Sequence, residues 1–111
     1  MTDAWLPRDA DDVGTGEAVL EDGTRTRIQV RVDRETRRID DAVFKVVGGE
    51  AALASARLVA ERLRGATVDG ALEMDALAIV AELGLPIERA KAAALAVEAA
   101  HRAVMDWEAK R

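Results

Sequence analysis

Phe44 to Glu61 reads FKVVGGEAALASARLVAE, and the spacing of its apolar residues changes halfway along. Ahead of Gly48 and Gly49 the alternation is that of a strand. Behind them Ala52, Ala56, Val59 and Leu63 recur at nearly four residues, with Leu53 and Ala60 broadening the stripe, and that is the period of a helix. The chain therefore turns from strand to helix through two glycines and sets no reactive side chain at the junction. One reading of the pair is a sharp turn that only glycine tolerates. The other is an anion site, in which the amides of Gly49, Glu50 and Ala51 converge at the positive end of the helix and Lys45 or Lys91 supplies charge.

Upstream, IDDAVFKVV (Ile39 to Val47) puts Ala42, Phe44 and Val46 on one face. Before it, across the polar turn DRETRR, TRTRIQVRVD sets Thr26, Ile28, Val30 and Val32 on an inward face and Arg25, Arg27, Gln29 and Arg31 on a face toward water. GEAVLED, ended by Gly23, supplies the strand before that. Three strands in series with tight polar connections predict an antiparallel meander. Residues 1–16, MTDAWLPRDADDVGTG, show neither period and are expected to form a flexible arm with Trp5 and Leu6 as its docking points; residues 17–111 form the domain. Downstream, Gly65 stops the first helix, Thr67 or Asp69 opens a short one, Asp75 caps and Gly84 stops a third, and Pro86 suits the first turn of the last. The predicted fold is α+β: a three-stranded antiparallel sheet followed by helices packed on one face, in two layers.

Composition narrows the function. Of 111 residues half are hydrophobic but only 3% aromatic, so the core is built of Ala, Val, Leu and Ile. A formal net charge of −5 argues against a nucleic-acid partner. There is no cysteine, which removes disulfides, thiolate zinc sites and thiolate ligation of iron-sulfur clusters. No apolar run approaches the ~20 residues that span a bilayer, and the acidic start lacks the regions of a signal peptide, so no membrane partner and a cytoplasmic location are expected.

Catalytic candidates are missing. His101 is the only histidine and has no second ligand beside it, which predicts a structural or surface role. Asp9, Asp11 and Asp12 lack the glycine and spaced oxygens of a calcium loop. Met74 and Met105 read as packing residues, and Gly14 and Gly16 precede no nucleotide-binding unit. No nucleophile with its base and no paired carboxylates stand out, so an enzyme is not expected. The arginines 25, 27 and 31 make a basic stripe on an acidic protein, which is either a solvated face or a docking surface for an acidic partner.

From about Val13 to Trp107 the words VGTG, IQVRV, IDDAVFKVVGG, ALASARLVAERLRGATVDGAL, IVAELGLP and AVEAAHRAVMDW, in this order, resemble the IscU or NifU amino-terminal type of iron-sulfur cluster assembly scaffold. The resemblance implies that family's fold and a site where turns and a helix mouth present three cysteines and often a histidine to a cluster. Carried over by position, the first cysteine falls at Asp22 in EDGT, the second at Gly49, the histidine at Lys91 and the third cysteine at Ala92. An aspartate that often assists the chemistry is Thr24 here. The resemblance thus implies a degenerate member, with no cofactor, in which the glycines are the frame of a ligand turn whose ligand is gone. The chaperone-recognition segment of some members corresponds to LPIER, of which Leu85, Pro86 and the charge of Arg89 remain.

The function expected is protein binding, with iron-sulfur assembly machinery or a larger metalloenzyme as partner, through the arginine stripe, Leu85, Pro86 and the last helix ending at Trp107. The alternatives are a metal carrier using the oxygens of Asp22 and Glu50 and an anion-binding module at the Gly48-Gly49 turn.

Overall fold

The alternating residues of the first half pair into one sheet. In the computed structural model, which describes residues 5–110, β1 (Val13–Val19), β2 (Arg25–Val32) and β3 (Ile39–Val47) form an antiparallel sheet of order β1-β2-β3. Thr15 faces Gln29 and Gln29 faces Val43 across the ladders, and the register shifts once, between Arg31 and Val32. Two turns fix this register. In the first, Leu20 and Thr24 bond through their backbones at 2.8 Å and Gly23 takes a φ of +91°. In the second, the Asp33 carboxylate accepts from the amides of Glu35 and Thr36.

The helices follow as α1 (Glu50–Leu63), α2 (Val68–Leu72), α3 (Ala76–Leu83), a single 3-10 turn at Ile87–Arg89, and α4 (Ala90–Ala109). Their boundaries have local causes. The side chain of Thr67 accepts from the Gly70 amide and that of Asp75 from the Leu77 amide, so each caps its helix. Gly84 closes α3 in the left-handed region at a φ of +63°. Pro86 opens the 3-10 turn rather than α4 itself, because the chain must tighten there before Ala90 begins the long helix.

The core lies between the inward sheet face and the helices. Ile28, Val30, Val32, Ala42 and Phe44 meet Ala56, Val59, Ala60 and Leu63 of α1 and a run of alanines from α4. The alanines allow backbones to approach closely, and the approach is closest at β1. A Cβ added at Gly14 would stand 2.0 Å from the Ala103 carbonyl oxygen, and one at Gly16 would stand 2.2 Å from that of Ala99. These two glycines let α4 lie directly on the strand. The outer edge of β1 is then closed by side chains of α4: the Thr15 amide donates to Asp106 at 2.9 Å, Arg102 donates to the Glu17 carbonyl at 2.7 Å, and Lys110 donates to the Val13 carbonyl at 2.7 Å.

Five expectations need correction. The boundary of the N-terminal arm falls inside β1, since the strand starts at Val13; a stretch whose inward positions are both glycine hides its alternation. The segment ahead of it also meets the sheet: the Leu6 amide and carbonyl bond the side chain of Gln29 at 2.7 and 3.1 Å, while Lys45 stands 4.6 Å from the centre of the Trp5 ring. Met1 to Ala4 of the arm lie outside the described residues. Gln29 is therefore fully buried instead of facing water. Trp107 is also buried, because its side chain packs over the space left by Gly14 and Arg37 covers the ring at 5.5 Å. Met105, on the outward side of α4, is 60% exposed rather than packed. Lys45, on the outer sheet face with Trp5, is not at the mouth of α1.

Candidate functional site

Three connections meet where α1 and α4 begin. The β1–β2 turn carries Asp22 and Thr24, the β3–α1 junction carries Gly48 and Gly49, and the 3-10 turn delivers Lys91 and Ala92 on the first turn of α4. All of these but Gly48 line a cleft of about 260 Å³, shared with Leu20, Ala51, Ala52, Glu88 and Arg89. Asp22, Gly49 and the adjacent pair Lys91 and Ala92, three places far apart in sequence, are thus brought together.

The two glycines of the junction differ. Gly48 has a φ of +156°, and a Cβ there would stand 2.8 Å from Cγ2 of Thr24, so the turn needs glycine at this position. Gly49 has a φ of −83° and is the N-cap of α1. A Cβ there would meet nothing within 4 Å. The residue at Gly49 is free to vary, and an ordinary side chain would point into open space beside the cleft.

The electrostatics of the cleft are mixed. The Asp22 carboxylate accepts from the Thr24 amide at 2.9 Å, and this bond, helped by the Thr24 hydroxyl and by the charge of Lys91, holds its pKa below the ordinary carboxylate value. Asp22 is ionised at neutral pH. Asp22 and Glu88 face Lys91 and Arg89, so neither sign dominates. Glu88 escaped the sequence reading; its position three residues before Lys91, on the same side of a helical turn, was the available signal.

The remaining candidates lie elsewhere. Arg25 and Arg27 pair with Glu17 of the neighbouring strand, and Arg31 pairs with Asp12 at 2.8 Å, so the basic stripe is matched by the protein's own carboxylates. The Arg27 guanidinium holds the pKa of Glu17 below its usual value. Leu85 leans on the core and Pro86 is exposed. Nε2 of His101 is buried and unpartnered. Glu50 is not among the residues that line the cleft, and among the described residues no three of His, Asp or Glu gather as a metal site would require.

The family model described as the NifU-like N terminal domain matches residues 7–111. The chain belongs to the NifU-like N-terminal domain family. Among relatives of this family, the mitochondrial iron sulfur cluster assembly protein 1 of Debaryomyces hansenii is 38% identical over 101 residues, covering 90% of this chain and 56% of that protein. The iron-sulfur cluster assembly scaffold protein IscU 1 of Archaeoglobus fulgidus is 35% identical over 101 residues, covering 89% of this chain and 63% of its own length. The chain spans little more than half the length of such relatives. A crystal structure titled as a putative iron-sulfur cluster assembly scaffold protein for the SUF system, from Fervidobacterium islandicum, superposes with a TM-score of 0.61 over 82% of this chain and 79% of that one, at 18% identity, and bears out the α+β fold. Within the NifU-like family, a chain without cysteine fits a degenerate member.

The residues of the cleft do not fit an iron-sulfur cluster. Gly49 and Ala92 offer no ligand atom, the Lys91 ammonium has only donors, and Asp22 presents hard oxygen where iron-sulfur clusters take thiolate sulfur. Among the described residues no helix is long and apolar enough to cross a membrane.

Proposed function

We propose that this chain is a scaffold-fold protein that has given up cluster binding and acts by binding protein, as adaptor or regulator in iron-sulfur cluster assembly or as accessory subunit of a larger metalloenzyme. The observation that carries the reading is the convergence of Asp22, Gly49, Lys91 and Ala92 on one cleft in a chain with no cysteine. These four are the former ligand positions; the frame is kept and the thiolates are gone. Family membership supports the pathway, since relatives bear the names of iron-sulfur cluster assembly proteins. The partner is bound through the surface around the cleft, through Leu85 and Pro86, and through Arg25, Arg27 and Arg31, whose pairs with Glu17 and Asp12 are partly exposed and open to exchange with acidic groups of a partner. Trp107 plays no part in it, being buried.

The test is anaerobic reconstitution with iron and sulfide. The natural protein is expected to stay colourless, with no sulfur-to-iron charge-transfer absorption. The quadruple variant Asp22→Cys, Gly49→Cys, Ala92→Cys and Lys91→His is expected to take up iron and sulfide at least labilely. The ordinary φ at Gly49 and the space beside it let a cysteine enter without strain. A stable cluster on the natural protein would overturn the reading. A folded quadruple variant that takes up no iron would refute the assignment of the four positions.

A further inference from the structure

A second concave surface lies at the other end of α1, roughly 20 Å from the cleft at the rise of a helix between Gly49 and Arg62. It is a groove of about 840 Å³ between the C-terminal end of α1, α2 and α3. Its floor is apolar and made of small or pliable side chains, chiefly Ala66, Met74, Ala78 and Ile79. The helix that forms one wall is out of balance with its surroundings. Seven of the eight residues of α3, ALAIVAEL, are apolar, yet Ile79 alone is buried. Ala78 and Ala81, both exposed, lie on the groove side of the helix. A helix that is apolar all round belongs under a cover.

The polar groups at the rim indicate what kind of cover. Glu73, Asp75 and Glu82 stand against the single cation Arg62, so the rim is acidic. Three of the four are engaged along the rim instead of converging on a small molecule: Arg62 pairs with Glu82, and the Asp75 carboxylate accepts from the Leu77 amide. An open apolar trough with small residues on its floor and carboxylates along its rim matches the apolar stripe of a helix with cations at either side. We propose that the groove between α1, α2 and α3 docks an amphipathic helix of a partner protein, with leucine-like residues on the buried stripe and lysine or arginine flanking it. This surface is independent of the cleft, and the outcome of cluster reconstitution has no bearing on it.

The probe is a synthetic helical peptide of leucine and lysine alone, with leucine recurring at three- and four-residue steps, titrated into the whole isotope-labelled protein. Backbone amide shifts are expected to map to residues 66–82 and to saturate. Ala78→Trp, an exposed position at the groove, is expected to abolish binding by filling it, and Glu73→Lys to weaken binding about tenfold, with less dependence on salt. The same peptide with glutamate in place of lysine is expected to bind more weakly than the lysine form. Circular dichroism is expected to show both variants folded. No saturable binding up to millimolar peptide, shifts centred instead on Val19, Val47 and Ile87, or binding that Ala78→Trp leaves unchanged would each overturn the proposal. Equal binding of the glutamate peptide would overturn the assignment of a basic partner.

Discussion

Gly14 and Gly16 on β1, and Gly48 and Gly49 before α1, are glycine pairs at two seams between strand and helix, yet they answer to different constraints. At β1 the glycines are needed for what stands opposite them, since the backbone of α4 occupies the space a Cβ would take. At the head of α1 the pair splits. Gly48 is held by its own dihedral and by Thr24, whereas Gly49 meets no neighbour and has an unstrained backbone. A glycine kept by packing and a glycine that no neighbour requires look alike in sequence, and the distance to the nearest atom separates them.

The largest effect is expected at the packed seam. Gly16→Ala should cost ~3 kcal/mol or more, because the clash at 2.2 Å is with helix backbone and cannot be relieved by turning a side chain. Denaturant titration should show the loss, or the variant should fail to fold. A cost under ~1 kcal/mol would mean that α4 can lift from β1 and would remove the contrast between the seams.

The second pair of changes separates neighbours. Gly48→Ala should cost about 1–3 kcal/mol, from the positive φ together with the Thr24 contact at 2.8 Å. Gly49→Ser should act in the opposite direction by a few tenths of a kcal/mol, since a serine at this N-cap, which now makes no side-chain cap bond, can accept from an amide of the first turn. Equal losses at the two positions, measured by thermal melting, would erase the distinction.

The smallest effect sharpens the cleft side of the comparison through pH. Asp22 and Glu17 both have folded-state pKa values below their ordinary ones, so each contributes stability that is present above the unfolded value and is lost as pH falls through the folded one. Stability should therefore decline from about pH 4 downward. Asp22→Asn should flatten that decline slightly, and Glu17→Gln should flatten it too, with the Arg27 pair lost. A pH profile unchanged by either substitution would mean that these bonds do not outlast competition from water.

Much of the fold was legible because its signals are periodic. The arginine-valine alternation of β2, the four-residue spacing behind Gly49 and the caps at Thr67, Asp75 and Gly84 are local, and each appears where its pattern placed it. What escaped depends on partners far along the chain. The strand character of Val13–Val19 is hidden because its inward side carries glycine, which registers as apolar alternation only when α4 is seen lying on it. Trp107 looked like a surface anchor, since nothing near it announces a glycine 93 positions earlier. Gln29 lies among arginines, and the partners that hold it inside, Leu6 and Thr15, come from well before it in the chain. The cleft was reached through likeness to a family and not through periodicity, for two turns and a helix mouth carry no common pattern.

The closure of the β1 edge by Asp106, Arg102 and Lys110 has a consequence for the order in which the protein is made. The strand is synthesised before every helix of the domain, and the side chains that satisfy its edge come 85 to 97 residues later. At ribosomal speeds that delay is roughly 5–20 s. Through this interval β1 carries an open ladder and two bare glycines, and β2 and β3 can pair while the layer meant to cover them is still unmade. The domain therefore cannot complete itself from its N-terminus onward; its first strand waits for its last helix, and the nascent chain is most open to wrong pairing or to capture by a chaperone in the seconds before α4 emerges.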